Sequence, residues 1–406
     1  VSSLAIVDGT EMTFCFIVSG DETYGVRRLT LSLIAALTKL GVNCRVISMA
    51  PGPMTNDCSE AGATCEILSL GIPPNFGAGF WQSVGRMVRL ALYLRRAVKA
   101  VSQRIGQLRP DAAIVRMPNL VPIASMAAHS VGVTTYWIIP NAISDDYPFK
   151  LNKWIYDFWF YWYSVKPLAN SAFTSKTLLN RRVKSAVFYL GIDSRAFSSE
   201  SHSPIQRASL GLNESDLVFG IFARLVPEKG QELIIRSLAD GGDEFESIKL
   251  LLCGGPYEAE YQQHLVGLVR SLGLDGRVIF LGPVNEVAPV CMTCDVVVNS
   301  RIDAEPFGLS VIEAMMLEKP VLAHSLGGPS ETVVDGITGW LFHEPTISCV
   351  KDALRRTLKD KDKWARMGQA GRSRAMERFE IFRVAADLCR IAKRAPSRLT
   401  NTSQAG

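Results

Sequence analysis

Long apolar runs are absent. No stretch of the 406 residues reaches the ~18 uninterrupted apolar side chains that a membrane-spanning helix requires. The N-terminus lacks a basic stretch followed by a signal-like apolar segment, so the expected location is cytoplasmic. Histidine is scarce, with five in all, and no histidine cluster supports the one close cysteine pair, Cys291 and Cys294, in forming a zinc site. The nine cysteines are odd in number, so they cannot all pair internally; a reduced compartment and core packing suit them. The phosphate-binding signatures GxGxxG and GxxxxGK[ST] are both missing from the loop Gly20 to Arg28, where Val26 stands in place of the lysine. That weakens an NAD enzyme and an ATPase.

Composition is otherwise that of a globular chain, 48% apolar and 20% charged with 9% aromatic residues. The length is roughly two to three times that of a usual domain and predicts two domains, each with its own core. Charge is uneven. Residues 1–205 hold 20 Lys and Arg against 13 Asp and Glu, and the remainder 24 against 26, giving +7 and −2. The basic half suits an anionic partner such as a lipid headgroup or a phosphorylated substrate, and is too mild to argue for nucleic acid.

Apolar runs at Met12 to Ser19, Asn43 to Ser48, Ala112 to Arg116, Thr134 to Ile139, Leu168 to Asn170 and Val187 to Leu190 read as strands. Helical periodicity between the first two, through Leu29, Leu33, Ala36, Leu37 and Leu40, marks a parallel α/β sheet. Ser198 to Ala208 reads as a linker. The alternation then restarts with strands Val218 to Phe222, Lys249 to Cys253, Val278 to Leu281, Val296 to Asn299 and Pro320 to Ala323. The expected architecture is two doubly wound Rossmann-like domains facing across a cleft, where the carboxyl ends of the strands meet a ligand. The expected boundaries are 1–205 and 206–374, then a helix at 375–394 crossing back to the first domain and a disordered tail at 395–406.

Three loops carry candidate chemistry. In EPFGLSVIEAM, Gly308 permits close backbone approach, and the first amides of the following helix, around Gly308 to Ser310, can meet an anion. Glu305 before that helix and Glu313 within it can accept hydrogen bonds from a polyhydroxylated ligand; spacing alone favours a helix-end charge for Glu305 and a surface glutamate for Glu313. In GIFARLVPEKG, Arg224 and Lys229 follow a strand and can hold a diphosphate, or be ordinary surface cations. In GDETYGVRR, Gly25 can bring backbone against a phosphate.

Taken together with CGGP at Cys253 to Pro256, RVIFLG at Arg277 to Gly282 and GGPSETVVDGITGWLF at Gly327 to Phe342, these motifs resemble the retaining nucleotide-sugar glycosyltransferases of family 4, which have the GT-B fold. The likeness spans nearly the whole second domain and is weaker in the first, in the Gly25 loop and FYLGIDSRAF. It implies that Glu305 lies at the donor sugar and Glu313 at the ribose hydroxyls. Arg224 and Lys229 would bind the diphosphate, with Gly25 beneath it. The stretch Phe307, Gly308, Leu309 and Ser310 would cradle sugar and phosphate, and Val278 to Gly282, with Leu281, would wall the base. The implied activity is metal-independent, retaining transfer of a hexose from a nucleoside diphosphate sugar, UDP-glucose-like, to a glycan or glycolipid acceptor in polysaccharide assembly. No cofactor is implied.

One departure stands out. Family members often carry a histidine after the strand that ends at Ile139; here Pro140 and Asn141 follow, so Asn141 is the candidate sugar or acceptor contact. The alternative that this absence motivates is a noncatalytic nucleotide-sugar-binding partner of another glycosyltransferase. On the acceptor side, residues 81–109 contain no acid and form an apolar stripe flanked by Arg86, Arg89, Arg96 and Lys99. This helix could lie on an anionic membrane, at the inner face, or pack on its sheet with its cations solvated. Tyr147 to Tyr163 holds ten aromatic residues in seventeen, fit for sugar stacking, an interface or a buried helix. Asp360 and Asp362 read as solvated surface rather than a metal motif.

Overall fold

The computed structural model describes residues 12–71, 84–145, 148–255 and 259–394. The chain divides into two compact units, one running to Gly191 and resuming at Ile381, the other Ile192–Glu380.

The first unit contains β1 (Thr13–Val18), α1 (Tyr24–Lys39), β2 (Asn43–Ser48), α2 (Pro53–Glu60), β3 (Thr64–Ile67), α3 (Val84–Leu108), β4 (Ala112–Val115), α4 (Val121–Ser130), β5 (Thr135–Ile139), α5 (Leu151–Trp162), β6 (Lys166–Ala169), α6 (Ala172–Lys176) and β7 (Ala186–Val187). Its strands lie in the order β3-β2-β1-β4-β5-β6-β7, and the pairs are parallel. Every residue of β4 and β5 is buried, as expected of central strands covered on both faces by crossover helices. The edge strand β7 is exposed. Trp137 sits at the centre, donating from Nε1 to the Arg116 carbonyl at 3.1 Å and packing against Tyr156 and Phe160.

The second unit contains β8 (Leu217–Phe222), α7 (Gln231–Asp240), β9 (Ile248–Cys253), α8 (Ala259–Ser271), β10 (Val278–Gly282), α9 (Val287–Thr293), β11 (Val296–Asn299), α10 (Leu309–Met316), β12 (Val321–His324), α11 (Pro329–Thr332), β13 (Gly339–Phe342), α12 (Ile347–Lys359) and α13 (Trp364–Phe379). The sheet order is β10-β9-β8-β11-β12-β13, again parallel. One core face gathers Phe219, Ile235, Phe245, Leu250, Trp340 and Leu354. The last helix, α14 (Ile381–Arg394), belongs to the first unit, where the Tyr136 hydroxyl donates to the Ile391 carbonyl at 3.3 Å.

The unit boundaries fall at Gly191/Ile192 and Glu380/Ile381, displaced from the expected 205/206 and 374/375. Backbone pairing explains the shift. The Ile192 amide donates to the Phe379 carbonyl at 2.8 Å, and Thr293 Oγ1 donates to the Ile205 carbonyl at 3.1 Å. The segment read as a linker is therefore fastened to the second unit. Residues 395–406 and Pro256 of CGGP lie outside the described residues. The strands β3 and β13 escaped sequence reading because β3, TCEI, carries polar residues and buries none of its positions, and β13, GWLF, opens on a glycine and has no β-branched residue.

Cys291 and Cys294 are core residues. Burial pushes the Cys294 thiol up to about 12 and that of Cys291 well above its ordinary value, which keeps both protonated and unreactive. Asp360 is more than solvated surface: it accepts the Trp340 indole N–H at 3.0 Å and the Lys363 ammonium at 2.5 Å, tying the end of α12 to β13. Helix α3 buries Ala97, Val101 and Ile105, so its C-terminal half packs as a Rossmann helix does. Val88 and Leu92 remain about half exposed, at 53% and 51%, beside exposed Arg89, Arg95, Arg96 and Lys99.

Two helical glycines separate packing from propensity. A Cβ at Gly368 of α13 would overlap the Glu318 carbonyl, whereas one at Gly267 of α8 would meet nothing within 4 Å. Urea unfolding should show Gly368→Ala destabilised by about 1–3 kcal/mol through overpacking and Gly267→Ala stabilised by about 0.4–1 kcal/mol through lower unfolded-chain entropy. Equal effects at both positions would contradict the close α13 approach.

Candidate functional site at a strand-order switch

In the second unit the strand order reverses between β8 and β11. Such a point leaves a crevice at the carboxyl ends of the strands. The loop after β8 carries Arg224 and Lys229; the loop after β11 carries Glu305. The structure brings the latter two into contact, with Lys229 Nζ 2.9 Å from Glu305 Oε2. Both side chains are mostly shielded, at 19% and 13% exposure, so their attraction is less screened than that of a surface pair.

Backbone contacts fix the two loops in register. The Ile302 amide donates to the Glu228 carbonyl at 3.0 Å, and Ser300 Oγ donates to the Lys229 carbonyl at 2.8 Å. Gly230, at φ +69°, brings backbone against the Ser300 carbonyl where a Cβ would overlap it. Arg224 is anchored through its carbonyl, which accepts Gln231 Nε2 at 2.8 Å, and its residue is exposed.

Glu305 is also held from behind. Its amide donates to the Leu326 carbonyl at 3.2 Å, and its carbonyl accepts the Gly328 amide at 2.7 Å. Gly327, at φ +97°, leaves no room for a side chain beside the Glu305 backbone. Gly308, at φ +87°, then starts α10 without a side-chain cap. The first-turn amides, those of Leu309 and Ser310 among them, have no intrahelical acceptors. Glu313 lies one turn on and is 5% exposed, which removes the surface-glutamate reading. Phe307 is buried edge-on against Phe379, ring centroids 6.0 Å apart, so it offers the site backbone rather than its ring.

The residues expected to wall the base lie only partly at this end. Gly282, at φ +73°, accepts the Gly254 amide at 2.9 Å, and Leu281 is partly buried beside it. Val278 starts the strand and sits in the core, about 13 Å further down at the usual strand rise. The structure does not bring Val278 to the switch point.

Three contributors escaped sequence reading. Arg301 Nη1 lies 3.8 Å from Glu305 Oε2; burial lowers its pKa, but Asp303 and Glu305 outweigh that and leave it raised. Asn299, at the end of β11, turns its amide toward Ser310 Oγ at 3.5 Å and keeps a buried Oδ1 without a partner. Gly327 was legible as a motif and silent as to role. For Arg301 the available signal was a cation two residues after a strand and four residues before Glu305.

The first unit has its own switch, between β1 and β4. Gly25 lies in the first turn of α1, after Thr23, whose side chain makes no cap bond. The Glu22 carboxylate accepts the Ser19 and Gly20 amides at 2.6 and 3.0 Å and shapes that turn. Arg116, after β4, donates to Thr30 Oγ1 at 3.1 Å, and burial lowers its pKa to about 10. Asn141 is exposed in the turn after β5, and the carbonyl of Pro140 accepts Asn170 Nδ2 at 2.8 Å. His129 packs edge-on to Tyr163, a structural contact.

Comparison with known proteins follows this geometry. Residues 202–374, which hold the whole second-unit site, match the family described as glycosyl transferases group 1. The chain is similar to D-inositol 3-phosphate glycosyltransferase of Nocardia farcinica, 34% identical over 168 residues, which are 40% of this chain and 37% of the relative. It is also similar to a GDP-mannose-dependent alpha-(1-6)-phosphatidylinositol monomannoside mannosyltransferase of Mycolicibacterium smegmatis, 29% identical over 47% of this chain and 51% of the relative. The chain thus spans about two fifths to one half of the length of these curated relatives. Among solved structures, Anabaena HepE in complex with UDP superposes with a TM-score of 0.77 at 19% identity, covering 95% of this chain and all of that one. The fold is GT-B, built from two Rossmann-like α/β units.

Gly327 offers a direct test of the loop geometry. Gly327→Ala combines left-handed strain with overlap of the Glu305 backbone, whereas Gly336→Ala, at φ +73° with open space around it, carries strain alone. Both should lower stability by at least about 1 kcal/mol, Gly327→Ala by clearly more. Hydrogen exchange should show the Gly328 amide losing protection only in Gly327→Ala.

Proposed function

We propose that the protein is a retaining glycosyltransferase that moves a hexose from a nucleoside diphosphate sugar, UDP-glucose-like, to a hydroxyl of a glycan or lipid-linked acceptor in polysaccharide assembly. The observation that carries this reading is the Lys229–Glu305 contact at the β8/β11 switch, within the segment that matches glycosyl transferases group 1. The HepE complexes with UDP and with UDP-glucose favour UDP as the nucleotide, although the mannosyltransferase relative is GDP-mannose-dependent.

The reaction separates charge. As the bond from the anomeric carbon to the phosphate oxygen breaks, the sugar becomes oxocarbenium-like and the diphosphate gains negative charge. Glu305 supplies negative potential at the sugar. Lys229, whose ammonium has three N–H bonds, can keep Glu305 on one and give the others to phosphate. Arg224 and the α10 amides complete the anion site, and Glu313 takes the ribose hydroxyls. The acceptor oxygen attacks the face that the diphosphate leaves, and its proton passes to the departing phosphate. With these cations in place the reading calls for no metal and no cofactor. Gly25 contributes beneath the diphosphate, and Asn141 orients sugar or acceptor where relatives of this kind often have histidine. A peripheral contact with anionic membrane through residues 81–109, at the cytoplasmic face, would bring a lipid-linked acceptor within reach.

The missing histidine favours a second reading, a noncatalytic nucleotide-sugar-binding partner of another transferase. Calorimetry with UDP, GDP and ADP sugars, followed by donor hydrolysis on whichever binds, separates the cases. On the transferase reading one donor binds selectively and turns over slowly. Glu305→Gln then keeps nucleotide binding within a few-fold and lowers turnover by about 10²–10³-fold, the scale of losing one electrostatic stabiliser. Binding without turnover supports the partner reading, and no binding by folded protein removes both.

A further inference from the structure

We propose that helix α5 is a docking face for an anionic lipid surface. The helix is inverted relative to the globular rule. Leu151, Trp154, Ile155, Phe158, Tyr161 and Trp162 follow the spacing of a single helical face, and each is 37–59% exposed. The opposite face turns Lys153 and Asp157 inward at 7% and 5% exposure, together with Phe160 at 2%. Lys153 is satisfied there by Asp145 at 2.5 Å. Phe149, just before the helix, is 97% exposed. Seven large apolar side chains gathered in this one exposed patch, Phe149 included, mark an interaction site.

Charge selects the occupant. Residues 148–190 contain seven Lys and Arg and a single acid, and that acid is the buried Asp157. The Arg181 guanidinium lies 4.6 Å from the centre of the Trp154 ring, and that of Arg182 lies 4.5 Å from the centre of the Tyr161 ring. Exposed cations thus rim exposed aromatics. Rings at acyl-chain depth with cations at phosphate level are the arrangement that an anionic membrane interface accepts. Trp and Tyr, prominent in the stripe, are the side chains enriched at that depth. Twelve residues span about 18 Å, too short to cross a bilayer, so the helix would lie in the interface plane. A second copy of the chain is a poorer fit, because an isologous dimer through this face would set like charges together, and the exposed acid beside it, Asp145, is already paired with Lys150 and Lys153. A sugar would occupy one or two rings, not a stripe that runs the twelve residues of the helix.

This inference is independent of the transferase reading, and its test needs no donor. The full chain is floated with vesicles of equal parts phosphatidylcholine and phosphatidylglycerol, and with phosphatidylcholine alone. Wild type should bind the mixed vesicles with a blue shift of tryptophan emission. The triple variant Trp154→Ser, Phe158→Ser, Trp162→Ser should keep its circular dichroism and melting temperature, since these side chains are largely exposed, and lose about tenfold or more in binding. Arg181→Gln with Arg182→Gln should weaken binding to the mixed vesicles alone and flatten its salt dependence. Unchanged vesicle binding by the triple variant, or no binding by wild type, overturns the proposal. So does a wild-type dimer in sedimentation velocity, without vesicle binding, that the triple variant converts to monomer.

Discussion

The reversal of strand order between β8 and β11 is the constraint on which the candidate site depends. Within an open parallel sheet, neighbouring loops usually leave on the same side and cover the strand ends. At a reversal they part, and the strand ends are left uncovered. The two loops nevertheless have to be rigid relative to each other, or a cation on one and a carboxylate on the other would not hold a defined distance. Here rigidity comes from the backbone: the Ile302 amide on the Glu228 carbonyl, Ser300 Oγ on the Lys229 carbonyl, and a glycine at 230 that lets the chains touch. The Lys229–Glu305 bond is the side-chain expression of that backbone contact.

The same logic explains the glycines around Glu305. A carboxylate aimed into a crevice needs its own main chain immobilised, and the Glu305 peptide is clasped between the Leu326 carbonyl and the Gly328 amide. A side chain at 327 would collide with the Glu305 backbone, and one at 328 with the backbone of Phe307. At Gly308 the benefit differs: a left-handed residue lets the chain turn into α10 with no capping side chain, which leaves first-turn amides available to an anion. Polar groups of opposite sign are thus set side by side, a suitable environment for a reaction in which opposite charges develop on adjacent groups.

The parts of this arrangement that sequence made legible were those carried by periodicity and by residue chemistry. Strands such as Val296 to Asn299 and Asn43 to Ser48 were read to the residue, the first because its β-branched run ends abruptly between Asp295 and Ser300. Glu305, Lys229 and Gly308 were marked by residue type and position. What escaped depends on distances in space. Arg301 is four residues from Glu305, yet its approach depends on how the loop curls around Asp303. Asn299 reads as the last residue of a strand, and only burial gives its orphan oxygen meaning. Val278 was grouped with Gly282 because the two share a motif, although a strand carries its two ends far apart. The unit boundary was misplaced for a related reason: residues 192–205 look like a linker in composition, and only their hydrogen bonds to Phe379 and Thr293 show which core they serve.

The charge of the first half also changes meaning once placed on the fold. A surplus of +7 over residues 1–205 suggests a mild, general basicity. Yet residues 81–109 and 148–190 together hold 14 of the 20 Lys and Arg and only one of the 13 Asp and Glu. The rest of that half is acidic, with six cations against twelve acids. A field concentrated in two segments, each with exposed apolar side chains among its described residues, differs from a diffuse one in its physical effect. Diffuse charge raises encounter rates with any anion, whereas cations set beside aliphatic and aromatic side chains reward a partner that presents negative charge and apolar depth at once. Free nucleotides lack the apolar depth, and detergent-like neutral surfaces lack the charge. An anionic bilayer has both, which is the combination that the proposed docking face asks of its partner.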